Sequence, residues 1–268
     1  MDLNHLDHLA VWPIRNFRRM RIYLAPVSLV IALLLWEALV RMAGFPPFIL
    51  PGPGLVWARF GQLVADGNLF RHSLVTLQEV LSGLAVGVSA ATLLGYLLAR
   101  SPAMERLLAP YVVASQSVPV VAIAPLLVIW FGPGLFSKVL ICALIVFFPV
   151  LVNTVVGLRS VPEELLDLMR SLQATRWQTA AYLQVPAALP VFLGGLRIGA
   201  TLSVIGAVVG EFVGADRGLG FLINVGRGQY DTALVFVAVF TLVTLALGLY
   251  GIVVFIERRL LSWQQRSD

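Results

Sequence analysis

The sequence predicts an all-α polytopic membrane protein with six transmembrane helices. Its mean hydropathy is +0.90 and only 12% of its residues are charged, whereas a soluble domain carries about a quarter. Six apolar runs are long enough to cross a bilayer core, which takes roughly 20 residues each; they lie at about 23–43, 77–99, 108–131, 139–158, 191–213 and 232–256. The runs are continuous rather than alternating, which is typical of helices and not of barrel strands.

The first element is a basic tail, residues 1–22, followed by the first apolar run. A signal peptide would have an apolar region of about 7–15 residues. This run is longer and contains Trp36 and Glu37. It is therefore predicted to be a retained first span, and residues 23–268 are predicted to form a single membrane domain.

Segment 44–76 opens with "GFPPFILPGPG", which cannot continue a helix. The next residues predict a short amphipathic helix that stops near Gly67. The third span contains Pro110, Pro119 and Pro125, and two interpretations stay open: kinks that serve packing, or a bend that shapes a pathway. A glycine-rich stretch, "GADRGLGFLINVGRGQYD", joins the fifth and sixth spans.

The basic residues predict the orientation of the chain. Thirteen of the 19 Lys and Arg residues lie on the side of the two termini and six on the other. Cytoplasmic segments carry the excess of positive charge, so both termini are predicted to be cytoplasmic. Because these residues sit beside span ends rather than in one patch, no nucleic-acid partner is expected.

Metal and cofactor chemistry is not expected. The one cysteine, Cys142, excludes an intrachain disulfide and a cysteine metal cluster, and the three histidines are predicted to lie outside the spans. No acid–base pair or nucleophile–histidine set is apparent at membrane depth, which disfavours a membrane-embedded enzyme.

The stretch "ELLDLMRSLQATRWQTAAYLQVPAALP", from Glu164 to Pro190, is polar and helix-like. Ser160 and Glu163 have the spacing of a capping box at the start of a first helix. Asp167 and Arg170 can pair at i, i+3. An apolar stripe is formed by Leu165, Leu168, Met169 and Leu172.

A second helix is predicted at once after the first. Thr175 and Gln178 form a second capping-box pattern, a tight turn is expected at 173–174, and Pro186 and Pro190 are expected to end the helix. Amphipathic helices often lie in the lipid interface. The acids of the first helix favour docking on a protein surface instead.

This stretch resembles the EAA loop of ABC importer permeases, whose pattern is Glu-Ala-Ala, three residues, Gly, nine residues, Ile-x-Leu-Pro. Asp167-Leu168-Met169 stands at the Glu-Ala-Ala position, Gln173 at the glycine, and Leu183-Gln184-Val185-Pro186 at the end. The spacing fits throughout. Two departures are the shorter acid at Asp167 and the missing glycine at Gln173, where the turn is usually made.

The resemblance extends over nearly the whole chain. "LPGPGLVWARFGQLVADGNLFRHSLVTLQEVLSGLAVG" and "PAALPVFLGGLRIGATLSVIGAVVGEFVGADRGLG" resemble nitrate/sulfonate/taurine-type permeases. "SQSVPVVAIAPLLVIWFG" is similar to the branch that takes riboflavin or thiamine-pyrimidine precursors.

The resemblance implies the type I ABC importer fold in the cell membrane, a permease homodimer, two copies of an ABC ATPase subunit and an extracytoplasmic solute-binding protein. The chain lacks a phosphate-binding Gly-x4-Gly-Lys-Ser/Thr loop, so it is expected to be a transport subunit and not an enzyme. The resemblance assigns ATPase coupling to helices 163–186. The residues expected to carry it are Glu164, Asp167, Arg170, Gln173, Ala174, Thr175, Trp177 and Pro186.

Polar residues within spans are candidates for the substrate pathway, because they are costly to place in lipid. The candidates are Gln116, Asn153, Ser203 and Glu211. The alternative for each is a hydrogen bond between helices. Glu211 is expected near the outer mouth, where it could belong to a gate.

The predicted function is import of a small solute, with riboflavin or a thiamine-pyrimidine-type heterocycle as the favoured substrate. Positive charge is missing at mid-depth in spans three to five, which disfavours nitrate or sulfonate. Sulfonate, taurine or nitrate import remains an alternative, and a secondary transporter is a further one. The latter would need more ionisable residues in its spans and leaves the two cytoplasmic helices without a role.

Overall fold

The computed structural model describes residues 15–262, with side chains from residue 26 onward except those at 102, 113, 115 and 116. Every regular element in this part of the chain is helical. The elements are α1 (Arg15–Ala43), α2 (Pro53–Ala65), α3 (Asn68–Arg100), α4 (Pro102–Gln116), α5 (Val120–Phe131), α6 (Leu135–Arg159), α7 (Glu163–Ser171), α8 (Arg176–Thr179), a π-helical segment (Ala180–Gln184), α9 (Val185–Gly214), α10 (Leu219–Gly228) and α11 (Thr232–Leu260).

Five helices are long and apolar enough to cross a membrane, and they confirm the predicted fold class. They are α1, α3, α6, α11 and the continuous helix that runs from α8 through α9. The short helices α2, α7, α8 and α10 lie at the two opposite ends of this bundle. The α7 end carries α7 and α8, and the α10 end carries α2 and α10.

The predicted third span, 108–131, is not one helix. It is divided into α4 and α5, separated by residues 117–119. Pro119 is the N-cap of α5 and has no N–H to continue the helix. A proline also drives the preceding residue, Val118, out of the helical conformation. Of the prolines in this span, only Pro119 breaks the helix, while Pro110 and Pro125 lie inside α4 and α5.

The centre of the fold is α6, which packs along its length against α3 on one side and α9 on the other. Small residues allow this close approach. A Cβ on Gly206 of α9 would lie 2.8 Å from the Cα of Cys142 on α6, and one on Gly195 would lie 2.6 Å from the Cβ of Asn153. Glycine at such contacts is typical of membrane helix pairs.

Among the five helices long enough to span a membrane, α1 has the fewest contacts with the rest of the bundle. No residue of its most apolar window is buried. It contacts α11 through Trp36, whose ring stacks on Phe236 at 5.2 Å between centroids. Arg15, the first residue of α1, lies within the predicted tail 1–22, so the end of that segment is helical.

Residues 215–231 were predicted only as a connection, but they contain α10. This helix packs on α9, α11 and α3, and it buries Leu219, Leu222 and Ile223. The predicted short helix before Gly67 is confirmed as α2, and Gly67 has a left-handed φ of +67°.

Candidate functional site

The first of the two predicted polar helices, α7, buries no residue against the rest of the described chain. Arg170 pairs with Asp167 at 2.6 Å, as predicted. The capping box predicted for Ser160 is wrong. The hydroxyl of Ser160 donates to the carbonyl of Gly157 at 2.8 Å, so it closes the end of α6, and α7 has no side-chain cap.

The turn after α7 falls at the predicted place and is made without glycine. Gln173 has a φ of +54°, in the left-handed region that favours glycine. The N–H of Ala174 donates to the carbonyl of Met169 at 3.0 Å, and the N–H of Gln173 donates to that of Arg170 at 2.9 Å. This is the Schellman arrangement of a helix end. Gln173 therefore keeps the turn geometry at the cost of left-handed strain.

The second capping box is confirmed. The N–H of Gln178 donates to the hydroxyl of Thr175 at 3.3 Å, and the N–H of Thr175 donates to the side chain of Gln178 at 2.8 Å. These contacts satisfy donors that the start of a helix leaves open.

The prediction that Pro186 and Pro190 end this helix is wrong, because α8 continues through the π-helical segment into α9. Pro186 has no N–H and its ring would clash with an α-helical carbonyl one turn earlier. The widened turn at Ala180–Gln184 lies directly before it, where such a turn can absorb the mismatch.

The two helices present apolar side chains that their own chain leaves uncovered. Trp177 is 84% exposed, Tyr182 77% and Leu172 67%. Glu164 and Asp167 are also exposed. Of the predicted coupling residues, only Ala174 and Pro186 are partly buried. A mixed apolar and acidic surface of this kind, at one end of a membrane bundle, suits a protein partner better than water.

The predicted pathway residues do not form one cluster. Asn153 donates to the carbonyl of Pro149 at 2.8 Å, and Ser203 is fully buried and donates to that of Ala200 at 2.8 Å. Ser203 and Glu211 both lie on α9, eight residues or about 12 Å apart along the helix. The side chain of Gln116 lies outside the described residues.

Glu211 belongs to a buried polar cluster that the sequence analysis did not predict. Lys138 pairs with Glu79 at 3.0 Å, with side chains 5% and 1% exposed, and Thr76 donates to Glu211 at 2.6 Å. His72, expected outside the spans, lies inside α3 and accepts from the N–H of Gly218. The signal was present, since Glu79 lies alone in an apolar run and Lys138 is the single lysine of the chain.

Residues 83–262 match the family model described as "Binding-protein-dependent transport system inner membrane component". The chain belongs to this family. The permease is 49% identical over 239 residues to the riboflavin transport system permease protein RibX of Chloroflexus aurantiacus, covering 89% of each chain.

Other relatives carry different substrate names. The formylaminopyrimidine transport permease protein ThiX of Halalkalibacterium halodurans is 38% identical, over 88% of this permease and 93% of that protein. The taurine transport system permease protein TauC of Escherichia coli is 30% identical, over 94% and 92%. A structure of the MetNI methionine ABC transporter in an inward-facing conformation covers 73% of the permease and 97% of its own chain, with a TM-score of 0.64 and 20% identity.

The permease is therefore a subunit of an ABC transporter and a multi-pass protein of the cell membrane. Its fold is that of an ABC importer permease. Family membership decides against the secondary transporter and the membrane-embedded enzyme as alternatives.

Proposed function

We propose that this permease forms the membrane pathway of an ATP-driven importer. A solute-binding protein outside the cell delivers a small heterocycle, riboflavin or a thiamine-pyrimidine-type compound. Two permease copies form the pathway, and two copies of a separate ATPase subunit supply the energy. The chain contributes no catalytic residue and needs no cofactor.

One observation carries the proposal. The coupling unit, residues 163–186, consists of two short helices whose exposed surface is both apolar and acidic, with Trp177 84% exposed. Its spacing is that of the EAA loop. In this proposal Glu164, Asp167, Arg170 and Trp177 contact the ATPase, while Gln173, Ala174, Thr175 and Pro186 hold the geometry of the unit.

The orientation follows from the same proposal. The α7 end and both termini face the cytoplasm, and the α10 end faces outward. Residues 23–268 act as one permease domain behind the basic tail 1–22. The arginine distribution supports this orientation, because cytoplasmic ends carry the excess of positive charge.

The mechanism is a change between two conformations of the bundle. ATP binding closes the ATPase dimer, which moves the docked coupling unit. This movement shifts the helices of the predicted third to fifth spans, which are α4, α5, α6 and α9. The pathway then changes from inward-facing to outward-facing. Such a change requires that the nucleotide-bound ATPase interact differently with the two conformations.

The substrate class rests on two supports. The relatives named for riboflavin and formylaminopyrimidine are 49% and 38% identical, and the one named for taurine is 30% identical. In addition, the one lysine in the spans, Lys138, already pairs with Glu79, which leaves it occupied rather than free for an anionic substrate.

ATP-dependent uptake tests the proposal. Cells or proteoliposomes carry the permease with its ATPase and binding protein, and radiolabelled riboflavin, a thiamine pyrimidine and taurine are compared. Asp167→Arg reverses the charge of the coupling unit and is expected to abolish uptake while the permease stays folded. Asp66→Arg, a reversal at an exposed side chain in the turn between α2 and α3, is the matched control.

The results separate coupling from substrate. Uptake of riboflavin or the pyrimidine, lost in Asp167→Arg and kept in Asp66→Arg, supports both parts. Uptake of taurine alone would replace the heterocycle by a sulfonate. Equal uptake by the wild type and Asp167→Arg would contradict the assigned coupling contact.

A further inference from the structure

The N-terminus of α10 is held by side chains of two other helices. The N–H of Gly218 donates to His72 Nδ1 at 3.0 Å, and the N–H of Leu219 donates to Thr76 Oγ1 at 2.8 Å. The N–H of Gly220 donates to Glu211 Oε2. A helix leaves its first amide groups without partners of its own. Here three consecutive donors are satisfied by α3 and α9.

This seat leaves no room for a side chain. A Cβ on Gly220 would lie 2.8 Å from Glu211 Oε2, and one on Gly218 would overlap the same carboxylate. Gly218 also has a φ of +112°, which other residues rarely adopt. Thr76 and Glu211 are 0% and 1% exposed. The N-terminus of α10 therefore closes over a buried acid.

Glu211 depends on α10 for the balance of its charge. The cluster holds two carboxylates, Glu79 and Glu211, but one lysine, and Lys138 pairs with Glu79 Oε1. A helix N-terminus carries a partial positive charge of about half a unit, and the N-terminus of α10 supplies it to Glu211. If α10 moved away, Glu211 would lose the N–H donor of Gly220 and the helix N-terminus, which is unfavourable for a buried carboxylate unless another partner replaces them.

A second partner for Glu211 lies close by. A Cβ on Gly210, the residue before Glu211, would lie 3.2 Å from Lys138 Cγ, so the lysine stem runs along α9 beside the acid. The side chains of Glu79 and Glu211 lie within hydrogen-bonding reach of each other, so Lys138 lies close to both carboxyl groups. This geometry allows two arrangements of the cluster, with Lys138 on Glu79 while α10 is seated and on Glu211 once α10 has left.

The C-terminal end of α10 is followed by a different set of contacts. Asp231 accepts from the N–H of Leu234 at the start of α11 and pairs with Arg59 of α2 at 2.8 Å. Gly228 has open space around it, and Tyr230 has a left-handed φ of +57°. The C-terminal end of α10 is also closed by a hydrogen-bonded turn, since the N–H of Asp231 donates to the carbonyl of Gly226 at 2.8 Å, which leaves the N-terminal end as the part that can move.

We propose that α10 is the outer gate of the pathway, that Glu211 latches it shut, and that Lys138 takes over Glu211 when the gate opens. The proposal rests on the transport function proposed above. Replacing buried charges by apolar residues of similar volume is often neutral or stabilising, so these charges are not needed to hold α10 in one fixed position. Buried charge with a second partner suits an element that has two positions.

Reversible cross-linking across the latch tests the gate. In a Cys142→Ala background, the latch pair is Asn224→Cys with Phe212→Cys, which joins α10 to α9 where the side chain of Asn224 donates to the carbonyl of Phe212 at 3.2 Å. Phe131→Cys with Phe136→Cys, which joins α5 to α6 at two exposed rings 5.3 Å apart, is the matched control. Each pair is bridged by a cleavable bifunctional thiol reagent in the complete complex in proteoliposomes.

Bridging the latch pair is expected to abolish uptake, and the reductant is expected to restore it, while bridging the control pair has no effect. The bridging yield of the latch pair should also fall when ATP is trapped with vanadate. Full uptake with the latch bridged, or a yield that does not depend on nucleotide, would overturn the gate. The yield needs no transported solute, so a wrong substrate assignment leaves this result readable.

Two variants test the roles of the charges. In the isolated full-length permease, Phe221→Cys should react severalfold faster with a thiol reagent when Glu211→Gln is added, and an unchanged rate would overturn the latch even if no ATPase associates. The double variant Glu79→Gln with Lys138→Met removes the second partner without leaving a lone charge. It should lose the nucleotide dependence of the bridging yield, and a normal dependence would overturn the role of Lys138.

Discussion

Gln173 shows how a single residue can depart from a family pattern and keep its structure. The family pattern has glycine here, and the turn still adopts a left-handed φ of +54° with both Schellman hydrogen bonds. For a residue with a Cβ, the left-handed conformation costs about 1–2 kcal/mol. The permease therefore holds a small amount of strain at the centre of its coupling unit.

Gln173→Gly is expected to stabilise this turn by about 1 kcal/mol, because glycine adopts the left-handed region without the Cβ clash. The measurement is hydrogen exchange at the amides of residues 173 and 174, which should slow about fivefold for that change. Gln173→Val is the control, and it should speed exchange. Equal exchange rates in all three proteins would mean that the turn is not strained.

Single residues also explain why the cap at Thr175 was predictable from the sequence and the cap at Ser160 was not. Thr175 and Gln178 satisfy each other's backbone N–H groups at the start of α8, so the local spacing was sufficient to predict the cap. Ser160 stands between two helices, and its hydroxyl binds the carbonyl of Gly157 instead. Serine can bond to backbone on either side, so spacing alone could not choose.

Among the elements, α8 is the one that depends most on a local motif. It is four residues long before the helix widens at Ala180, and its capping box is its main support at that end. Loss of an N-cap hydroxyl costs about 1 kcal/mol.

Thr175→Ala is expected to fray the first turn of α8 and to weaken ATP-dependent uptake, while Thr175→Ser keeps both. Hydrogen exchange over residues 176–179 should increase about fivefold for a loss of about 1 kcal/mol. Unchanged exchange in Thr175→Ala would show that packing, rather than the cap, holds the start of this helix.

Two elements were out of reach of the sequence analysis for different reasons. The break between α4 and α5 comes from Pro119, but the neighbouring Pro110 and Pro125 are accommodated within helices. Helix α10 has glycine at both ends, and the contact that seats it comes from Thr76, 143 positions away in the chain. The pattern of Leu219, Leu222 and Ile223 was its one local signal.

In the described chain, the most extensive contact between two helices is that of α9 with α6. Gly194 and Gly195 are adjacent in α9, yet a Cβ on Gly194 would meet nothing within 4 Å, while one on Gly195 would lie 2.6 Å from Asn153. The pair separates helix propensity from packing in one sequence context.

Gly194→Ala is expected to raise the thermal denaturation midpoint in detergent, because alanine favours a helix over glycine by about 1 kcal/mol. Gly195→Ala is expected to lower it, because the added methyl forces α6 and α9 apart and overpacking costs about 1–3 kcal/mol. Shifts of the same sign in both variants would contradict the close contact.

The orientation of the whole chain is open to a direct measurement. In a Cys142→Ala background, Arg227→Cys lies at the α10 end and Trp177→Cys at the α7 end, and both native side chains are exposed. A thiol reagent that does not cross membranes should label Arg227→Cys in intact cells and Trp177→Cys only after lysis. The reverse labelling pattern would show that the chain has the opposite orientation in the membrane.

The unbroken passage from α8 into α9 connects the two ends of the molecule through a single helix. Arg176 and Gly214 are the ends of one helix of 39 residues, and Glu211 lies about 50 Å from Arg176 along it at about 1.5 Å per residue. In the proposed mechanism, a displacement at Trp177 is therefore transmitted to Glu211, beneath α10, through one helix. The π-helical turn at Ala180–Gln184 and the two prolines after it interrupt the regular hydrogen bonding of this helix, so the bending stiffness of this segment sets how much of the displacement would reach α10.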